Sequence, residues 1–429
     1  MRRVPLLALL LTAALVGSPL GAGQGSGPGG AAPAGAPGGP DAAPQSGRGG
    51  PEGRGGRGGI QIEAGEVCPP GTTETRPLRC QAPEFPPPSI VDYQPRSTLV
   101  TETHLVPRAK FPAVDIHGHG AGMLASPEGL AGLIEELDKL NVRVFVSADN
   151  SSGERLTRAL EVINASPHRD RVRMLTGIQF GDVEPGFGAR AARQIEADVQ
   201  AGAVGVGEIS KSFGLTIRKQ DGSRLRVDDP ELDPVWEVSA RLNIPAFIHT
   251  AEPQEFFSAL DMQNERWLEL SLFRDRRNFE AGQVTFEELM DERDNLFRRH
   301  PETTFIAAHF AWHANDLGRL STLLDEFPNV VVEAGAILYD LGRQPRAARE
   351  FFIKYQDRVL FGKDSFQPSE YPYYWRVFET NDEYFDYYRD YHAFWKLYGM
   401  GLPDDVLKKV YYANALRVVP GLPRTGWPE

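Results

Sequence analysis

Histidines and carboxylates in this chain stand at or just after the ends of predicted buried strands. His117 and His119 form a His-Gly-His triplet in VDIHGHG. Residues two apart in an extended chain share a face, so both imidazoles can reach one ion, and Gly118 lets the backbone come close. The other members of the set are His249 in AFIHTAEP, His309 in FIAAHFAWH, Glu208 in GVGEISK and Asp364 in VLFGKDSF.

These residue types together predict a metal site. Neutral imidazole and carboxylate are the usual ligands of zinc and similar divalent ions. A bound ion lowers the pKa of its water to about 7, and a nearby carboxylate can then act as general base. A single histidine at a strand end is usually only a polar residue, but the full set after several strands favours a metal. Zn²⁺ is the first expectation and Mn²⁺ the alternative, with one or two ions left open.

Eight short, nearly continuous apolar segments accompany these residues, as expected of strands buried on both faces of a parallel sheet. They cover 111–116, 142–147, 172–178, 203–209, 244–248, 304–308, 330–334 and 358–362. Amphipathic helix patterns lie between or after them, over 127–140, 155–165, 189–200, 230–242, 286–299, 315–327 and 404–418. This alternation predicts an α/β fold, a (β/α)8 TIM barrel. The alternative, a doubly wound open sheet, needs a glycine-rich phosphate turn after the first strand, where GHGAG carries histidines instead.

Two segments interrupt the alternation, and both follow strands directly. Residues 251–282 carry scattered aromatics, and residues 365–402 contain YPYYWRVF and EYFDYYRDYHAFW. Barrel strands end at the face that holds the active site, so both segments are expected beside it. The aromatic-rich insertion after strand eight is interpreted first as a lid packed on the barrel. The alternative is a platform for a planar substrate, with Tyr371 or Trp375 facing the pocket, and His392 is a weaker candidate for its mouth.

The N-terminus predicts an exported protein. Residues 1–22 combine two arginines, a short apolar run and small residues, the pattern of a signal peptide. An uncleaved membrane anchor is the alternative, although the apolar run is shorter than a bilayer span. Residues 23–60, rich in Gly, Pro and Ala, predict a disordered linker. The expected location is secreted or periplasmic.

The remaining chain is expected to comprise an N-terminal extension, residues 61–110, and the barrel domain, residues 111–420. Cys68 and Cys80 are the only cysteines, and in an exported protein they predict a disulfide within the extension. The formal net charge is −12, and the folded part has no basic cluster interleaved with aromatics, so nucleic acid is not an expected partner. The expected partner is a small-molecule substrate, without stable membrane insertion after signal cleavage, and a homo-oligomer is left open.

VDIHGHG, the histidines after strands five and six, FGKDS and the closing YYANALRVV together resemble the amidohydrolase superfamily. More narrowly they resemble its amidohydrolase-related branch, which includes the aminocarboxymuconate-semialdehyde decarboxylases, over the whole predicted barrel. The resemblance implies His117 and His119 as metal ligands, with His249 as a third imidazole on the same or a second ion. It implies Asp364 as ligand and general base, and His309 as a second-metal ligand or a group that polarises water or substrate.

The strand-four position is the weakest that the resemblance implies. Many binuclear members carry a carboxylated lysine there and others a glutamate; here Glu208 ends the strand and Lys211 follows three residues later. Strand alternation places the two on opposite faces, so Glu208 is favoured as a bridging ligand over a structural carboxylate paired with Lys211 or an arginine. Lys363, His313 and Trp312 are candidates for substrate contact, each with an ordinary structural alternative.

We therefore expect a metal-dependent hydrolase of a C–N or C–O bond, in a cyclic amide, lactone or similar small molecule, using a metal-activated water. The alternative on the same barrel is a metal-dependent decarboxylase, with one ion held by His117, His119, His249 and Asp364 and with His309 activating. A remote alternative is an exported binding protein with an inactive site, against which the complete ligand set argues.

Overall fold

The computed structural model describes residues 59–86, 89–120, 122–181, 183–280 and 282–429. The predicted signal peptide and all but the last two residues of the predicted linker lie outside the described residues. The chain divides into two units, at residues 87 and 88. The first unit holds a three-stranded antiparallel sheet of order β1-β3-β2, formed by β1 (Ile60–Gln61), β2 (Thr73–Arg76) and β3 (Arg79–Gln81). A disulfide joins Cys68 to Cys80 in β3.

The second unit is organised around a parallel sheet. Its strands are β4 (Ala113–His119), β5 (Val142–Ser151), β6 (Val172–Thr176), β7 (Val206–Ile209), β8 (Ala246–Ile248), β9 (Phe305–Ala307), β10 (Val330–Glu333), β11 (Val359–Leu360) and β12 (Asp364–Ser365). Strands β4 to β11 are neighbours in chain order, and β12 pairs with β4, with Asp364 opposite Gly118. Because only residues 361–363 separate β11 from β12, the two are halves of the eighth strand and the sheet closes. The (β/α)8 barrel prediction is confirmed, and an open doubly wound sheet is excluded.

Helices follow the strands at the predicted places. They are α1 (Pro127–Leu140), α2 (Gly153–Ala165), α3 (Phe187–Ala201), α4 (Asp233–Arg241), α5 (Trp267–Leu272), α6 (Phe286–Arg299), α7 (Leu317–Glu326), α8 (Leu338–Arg343), α9 (Pro345–Lys354), α10 (Tyr371–Glu379), α11 (Asp404–Lys408) and α12 (Asn414–Val418). The helix predicted over 230–242 begins as a 3₁₀ turn at Pro230–Leu232, and a π-helical turn, Lys409–Ala413, joins α11 to α12.

Local chemistry explains why these elements form. The barrel strands are buried along almost their whole length, as their continuous apolar sequences require. On α1 the buried residues recur at helical spacing, and Ser126 accepts a hydrogen bond from Gly129 N–H at 3.1 Å, with Pro127 at the first helical position. The α6 helix begins with a reciprocal capping box between Thr285 and Glu288.

The aromatic-rich insertion packs its first helix against the barrel. On α10, Tyr371, Tyr374 and Trp375 are fully buried, and the Trp375 ring lies 4.7 Å from that of Phe361, next to β11. Tyr371 and Trp375 are therefore core residues, and they do not form a substrate platform. In the described part of the chain, no helix is long and apolar enough to cross a membrane.

Candidate active site

Four imidazoles surround the carboxylate of Glu208 at the C-terminal ends of the barrel strands. Its Oε2 lies 3.3 Å from His117 Nε2 and 3.4 Å from His119 Nε2. Its Oε1 lies 2.7 Å from His249 Nδ1 and 3.7 Å from His309 Nε2. One carboxylate thus stands between two pairs of histidines and presents a different oxygen to each pair.

Asp364 completes the cluster from the eighth strand. Its Oδ1 lies 3.5 Å from His119 Nε2 and 3.9 Å from His117 Nε2. The residue has φ 77°, in the left-handed region that aspartate tolerates better than most residues. Its side chain remains 35% exposed, so the carboxylate faces the cavity as well as the histidines.

The donor set fits one or two divalent ions. Two groups, His117–His119–Asp364 and His117–Glu208–His309, each bring ligand atoms within 4.8 Å of one another. His117 Nε2 and His249 Nε2 are buried and have no hydrogen-bond partner among the described residues. A buried polar atom without a partner is costly, and a bound cation would satisfy the one on His117, which points at the carboxylates.

The close approach at the His-Gly-His triplet requires glycine. A Cβ built on Gly118 would lie 2.1 Å from Cζ of Phe145 on β5. No side chain fits in that space without moving the phenylalanine ring out of the core. Gly118 therefore lets β4 bring both histidines to the cluster while it packs against β5.

Three further carboxylates, which the sequence patterns do not single out, lie beside the histidines or accept hydrogen bonds from their backbone. Glu333 is fully buried at the end of β10, where its Oε2 lies 3.0 Å from His117 Nδ1 and accepts the backbone N–H of His309 at 3.1 Å. Asp149 Oδ1 on β5 lies 3.4 Å from His119 Nδ1. Carboxylates behind ligating imidazoles orient the rings and raise their basicity. Both lie near strand ends, so the rule that located the histidines also applies to them.

The third carboxylate, Asp115, ties the first strand to the eighth. It is fully buried and accepts backbone N–H bonds from His117 at 3.0 Å and Lys363 at 3.1 Å. The Tyr371 hydroxyl donates to it at 2.6 Å. Burial raises the pKa of Asp115. These bonds fix His117 and the residue before Asp364 relative to each other.

Charges within the cluster raise the pKa values of two of its histidines and lower the pKa of its central carboxylate. Burial lowers the pKa of His119, but Asp149 and Glu208 outweigh burial and raise it to about 9. Burial also opposes protonation of His117, yet Glu208 and Glu333 hold its pKa well above the ordinary value. Burial alone would raise the pKa of Glu208, but His117 and His249 bring it well below the ordinary value. The carboxylates therefore favour positive charge at these rings, and an arriving metal ion must displace protons.

A left-handed turn places His309. Residues His309, Phe310, Ala311 and Trp312 have φ between 53° and 55°. Such a conformation costs roughly 1–2 kcal/mol per residue, so the surroundings must enforce it. Phe310 is fully buried, Arg293 Nη1 donates to the Ala311 carbonyl at 2.8 Å, and the His309 N–H is bound as described above.

Of the three predicted substrate contacts, the structure places only Trp312 at the cavity. Its ring centroid lies 4.5 Å from that of His309. Lys363 is only 1% exposed, and its Nζ binds the Ser365 carbonyl at 3.1 Å and Glu370 Oε2 at 2.5 Å. Lys363 is thus turned away from the cavity, on the strand face opposite to that of Asp364.

His313 also lies away from the cavity. It is buried with its Nε2 3.3 Å from Arg293 Nη2, and burial together with Arg293 lowers its pKa to about 2. Lys211 reaches the cavity, but its Nζ lies 3.7 Å from Glu252 Oε1. Glu208 therefore occupies the strand-four position among the imidazoles.

The cluster opens into a cavity of about 440 Å³. This cavity is lined by five residues of the cluster, His119, Glu208, His249, His309 and Asp364. The two insertions also line the cavity and contribute Arg266, Glu269, Arg276, Arg389 and His392. The three arginines are not evident from the sequence, where the only signal is that both insertions follow strands.

Comparison with known proteins identifies the family of this chain. The family model described as Amidohydrolase matches residues 114–421, most of the chain. The chain belongs to the amidohydrolase family. No curated protein matches this amidohydrolase.

Similar solved structures share low sequence identity with this amidohydrolase. An uncharacterized TIM-barrel protein of Bordetella bronchiseptica is 15% identical with a TM-score of 0.44, over 71% of this chain and 97% of its own. A 2,6-dihydroxybenzoate decarboxylase from Rhizobium is 13% identical with a TM-score of 0.45, over 72% and 98%. A 5-carboxyvanillate decarboxylase from Sphingomonas paucimobilis is 17% identical with a TM-score of 0.40, over 72% and 98%.

Proposed function

We propose that this amidohydrolase is a metal-dependent hydrolase of a C–N or C–O bond in a small carbonyl compound such as a lactone or cyclic amide. The observation that carries the proposal is the position of Glu208 between two pairs of imidazoles. A carboxylate that offers one oxygen to each pair suits a bridge between two ions, the arrangement that two-metal hydrolytic sites use. His117, His119 and Asp364 would hold one ion, and His249 and His309 the other.

The ions, when bound, supply Lewis acidity and lower the pKa of water at the site. In the overall reaction water adds to the carbonyl carbon, the C–N or C–O bond breaks, and a proton from water ends on the leaving nitrogen or oxygen. Asp364 suits the proton transfer because its carboxylate faces both the cluster and the cavity. Burial alone would raise its pKa, but His117 and His309 lower it, so the group is ionised and can accept a proton at neutral pH.

A metal-dependent decarboxylase is the second candidate. It is favoured by the group His117–His119–Asp364, because these three residues are by themselves sufficient to hold a single ion. In that reaction a C–C bond breaks, carbon dioxide leaves, and a proton is delivered to the carbon. The Glu208 carboxylate would then serve only to orient the rings.

The test combines metal analysis with a substrate screen. Purified protein is loaded with Zn²⁺ or Mn²⁺, its metal content is measured, and lactones, cyclic amides, phosphoesters and aromatic acids are assayed. We expect hydrolysis and two ions per chain; carbon dioxide release with one ion would favour the second candidate. His117→Ala should lose metal and activity, whereas His168→Asn, outside the cavity, should keep both. If His117→Ala keeps both, the site is wrongly assigned; if the wild type binds no metal, the binding-protein alternative returns.

We also propose that the protein is exported, to the periplasm or the medium. The signal-like residues 1–22 support this proposal, and the Cys68–Cys80 disulfide suits an oxidising compartment. N-terminal sequencing of the protein recovered from its native host tests it. A mature terminus near residue 23 is expected, and an intact Met1 in the cytosol would contradict it.

A further inference from the structure

The two segments that interrupt the barrel alternation also line the cavity that holds the histidine cluster. Arg266 and Arg276 come from the insertion after β8, and Arg389 comes from the insertion after β12. We call these three residues the arginine wall. Arg266 is almost fully buried, with its guanidinium 4.2 Å above the Tyr339 ring, whereas the side chains of Arg276 and Arg389 are 30% and 25% exposed.

Two residues of the arginine wall share a single acid. Glu269, 1% exposed, accepts from Arg266 Nε at 2.9 Å through Oε2 and from Arg276 Nη1 through Oε1. Burial alone would raise the pKa of Glu269, but His392 and Arg266 bring it to about 2, so it carries one negative charge at neutral pH. One of the two guanidinium charges is left without a counter-charge from this carboxylate.

Arg389 also shares its acidic partner with a second cation. Its Nη2 lies 3.2 Å from Glu370 Oε2, and that carboxylate also accepts from Lys363. Two cations again share one acid. Nearby Glu265 and Asp340 both pair with Arg343, at 2.8 Å and 2.7 Å, so two acids share one cation there, and Asp340 also interacts electrostatically with Arg266.

His392 adds an unpartnered polar side chain to the same wall. It is 6% exposed and lines the cavity, and both its ring nitrogens lack a hydrogen-bond partner among the described residues. Nε2 lies 3.2 Å from Glu269 Oε1, and this carboxylate opposes the lowering of the pKa of His392 by burial. Burial lowers its pKa to about 4, so the ring is neutral and offers one N–H donor. A buried imidazole donor in a cavity that three guanidinium groups also line suits an anionic acceptor from outside the chain.

We propose that the arginine wall and His392 bind a carboxylate group of the substrate while the bond that is cleaved lies at the histidine cluster, which lines the same cavity. The inference rests on the proposed function for the position of that bond. The substrate class is therefore a carbonyl compound that also carries a carboxylate. The Phe256 and Tyr339 rings in the same cavity provide apolar contact for the body of such a molecule.

Benzoate and its neutral analogue benzamide are suitable probes for calorimetric titration of the metal-loaded full-length protein. We expect benzoate to bind more tightly than benzamide, and its Kd to rise about tenfold or more in Arg276→Gln and in Arg389→Gln. These partly exposed residues are preferred to the buried Arg266, whose removal endangers folding. Arg274→Gln, an exposed neighbour outside the cavity lining, is the matched control and should bind benzoate like the wild type.

Metal content measured on the same samples separates the wall from the metal site. Weaker benzoate binding with unchanged metal content supports the proposal. An unchanged Kd in both variants, equal affinity for benzoate and benzamide, or no benzoate binding would overturn it. Failure of the proposed function has a different signature, in which the arginine variants lose benzoate but no ester, lactone or amide is hydrolysed by the wild type.

Discussion

His392 offers a quantitative test of how the cavity wall is built. Substitution of His392 by asparagine replaces the titrating imidazole with an amide, which does not titrate between pH 4 and 7. In the folded protein burial, with Arg266 and Arg389 nearby, lowers the pKa of His392 to about 4, against the opposing effect of Glu269. In the unfolded chain the pKa returns to about 6.5. The unfolded chain therefore binds more protons between these two values, and stability must fall as pH falls through this window.

The size of the effect follows from that gap. One pKa unit corresponds to about 1.4 kcal/mol, so the stability contributed by His392 above pH 6.5 exceeds that at pH 4 by about 3 kcal/mol. Near pH 5 about 2 kcal/mol of it is already lost. His392→Asn should lack this component, because asparagine stays neutral throughout.

Urea unfolding of wild type and variant at several pH values from 7.5 to 5 measures the component, because other titrating groups largely cancel in the difference. The wild type should lose about 2 kcal/mol more than His392→Asn over this range. Tyr387→Phe is the control for packing, because the Tyr387 ring stacks on His392 with the ring centroids 5.7 Å apart. This substitution removes only a hydroxyl, so the free energy of unfolding should keep the pH dependence of the wild type. Parallel curves for wild type and His392→Asn would refute the neutral, buried imidazole.

Two further substitutions test the site and its support. Glu208→Gln keeps the size of the side chain but removes its charge, so one of the two expected ions should be lost and activity should fall about 100-fold or more. Metal analysis and kinetics measure the two effects, and Glu237→Gln, on an exposed helix face, is the control that should change neither. A Glu208→Gln variant that keeps both ions would contradict a bridging role. Tyr371→Phe removes a buried hydrogen bond to Asp115, so unfolding free energy should fall by about 1–3 kcal/mol in urea titration, and an unchanged value would show that the bond is not formed.

The barrel and the main cluster could be predicted because both depend on local patterns. Buried parallel strands need continuous apolar runs, and the residues that follow them, such as His249 and Asp364, meet at one face of any such barrel. Glu208 followed from alternation along β7. Glu333 and Asp149 also lie near strand ends. Their pairing with His117 and His119 could not be predicted, because it depends on where the two imidazole rings point.

The rest depends on contacts that no local pattern reveals. His313 lies behind the cavity because the chain makes a left-handed turn at 309–312, whereas a helical continuation would have placed it differently. The arginine wall is assembled from two insertions that are distant in the sequence, and Glu269 of the first lies 3.2 Å from His392 of the second. Lys363 is the exception, because alternation along the eighth strand already separates its side chain from that of its neighbour Asp364.

Anomalous diffraction from crystals loaded with Zn²⁺ or Mn²⁺ tests the central claim most directly. We predict two anomalous peaks flanking the Glu208 carboxylate, one beside His117 and His119 and the other beside His249 and His309. A single peak held by His117, His119 and Asp364, with Glu208 free of metal, would contradict the two-metal hydrolase and leave the decarboxylase. No peak among these residues would contradict the metal site itself.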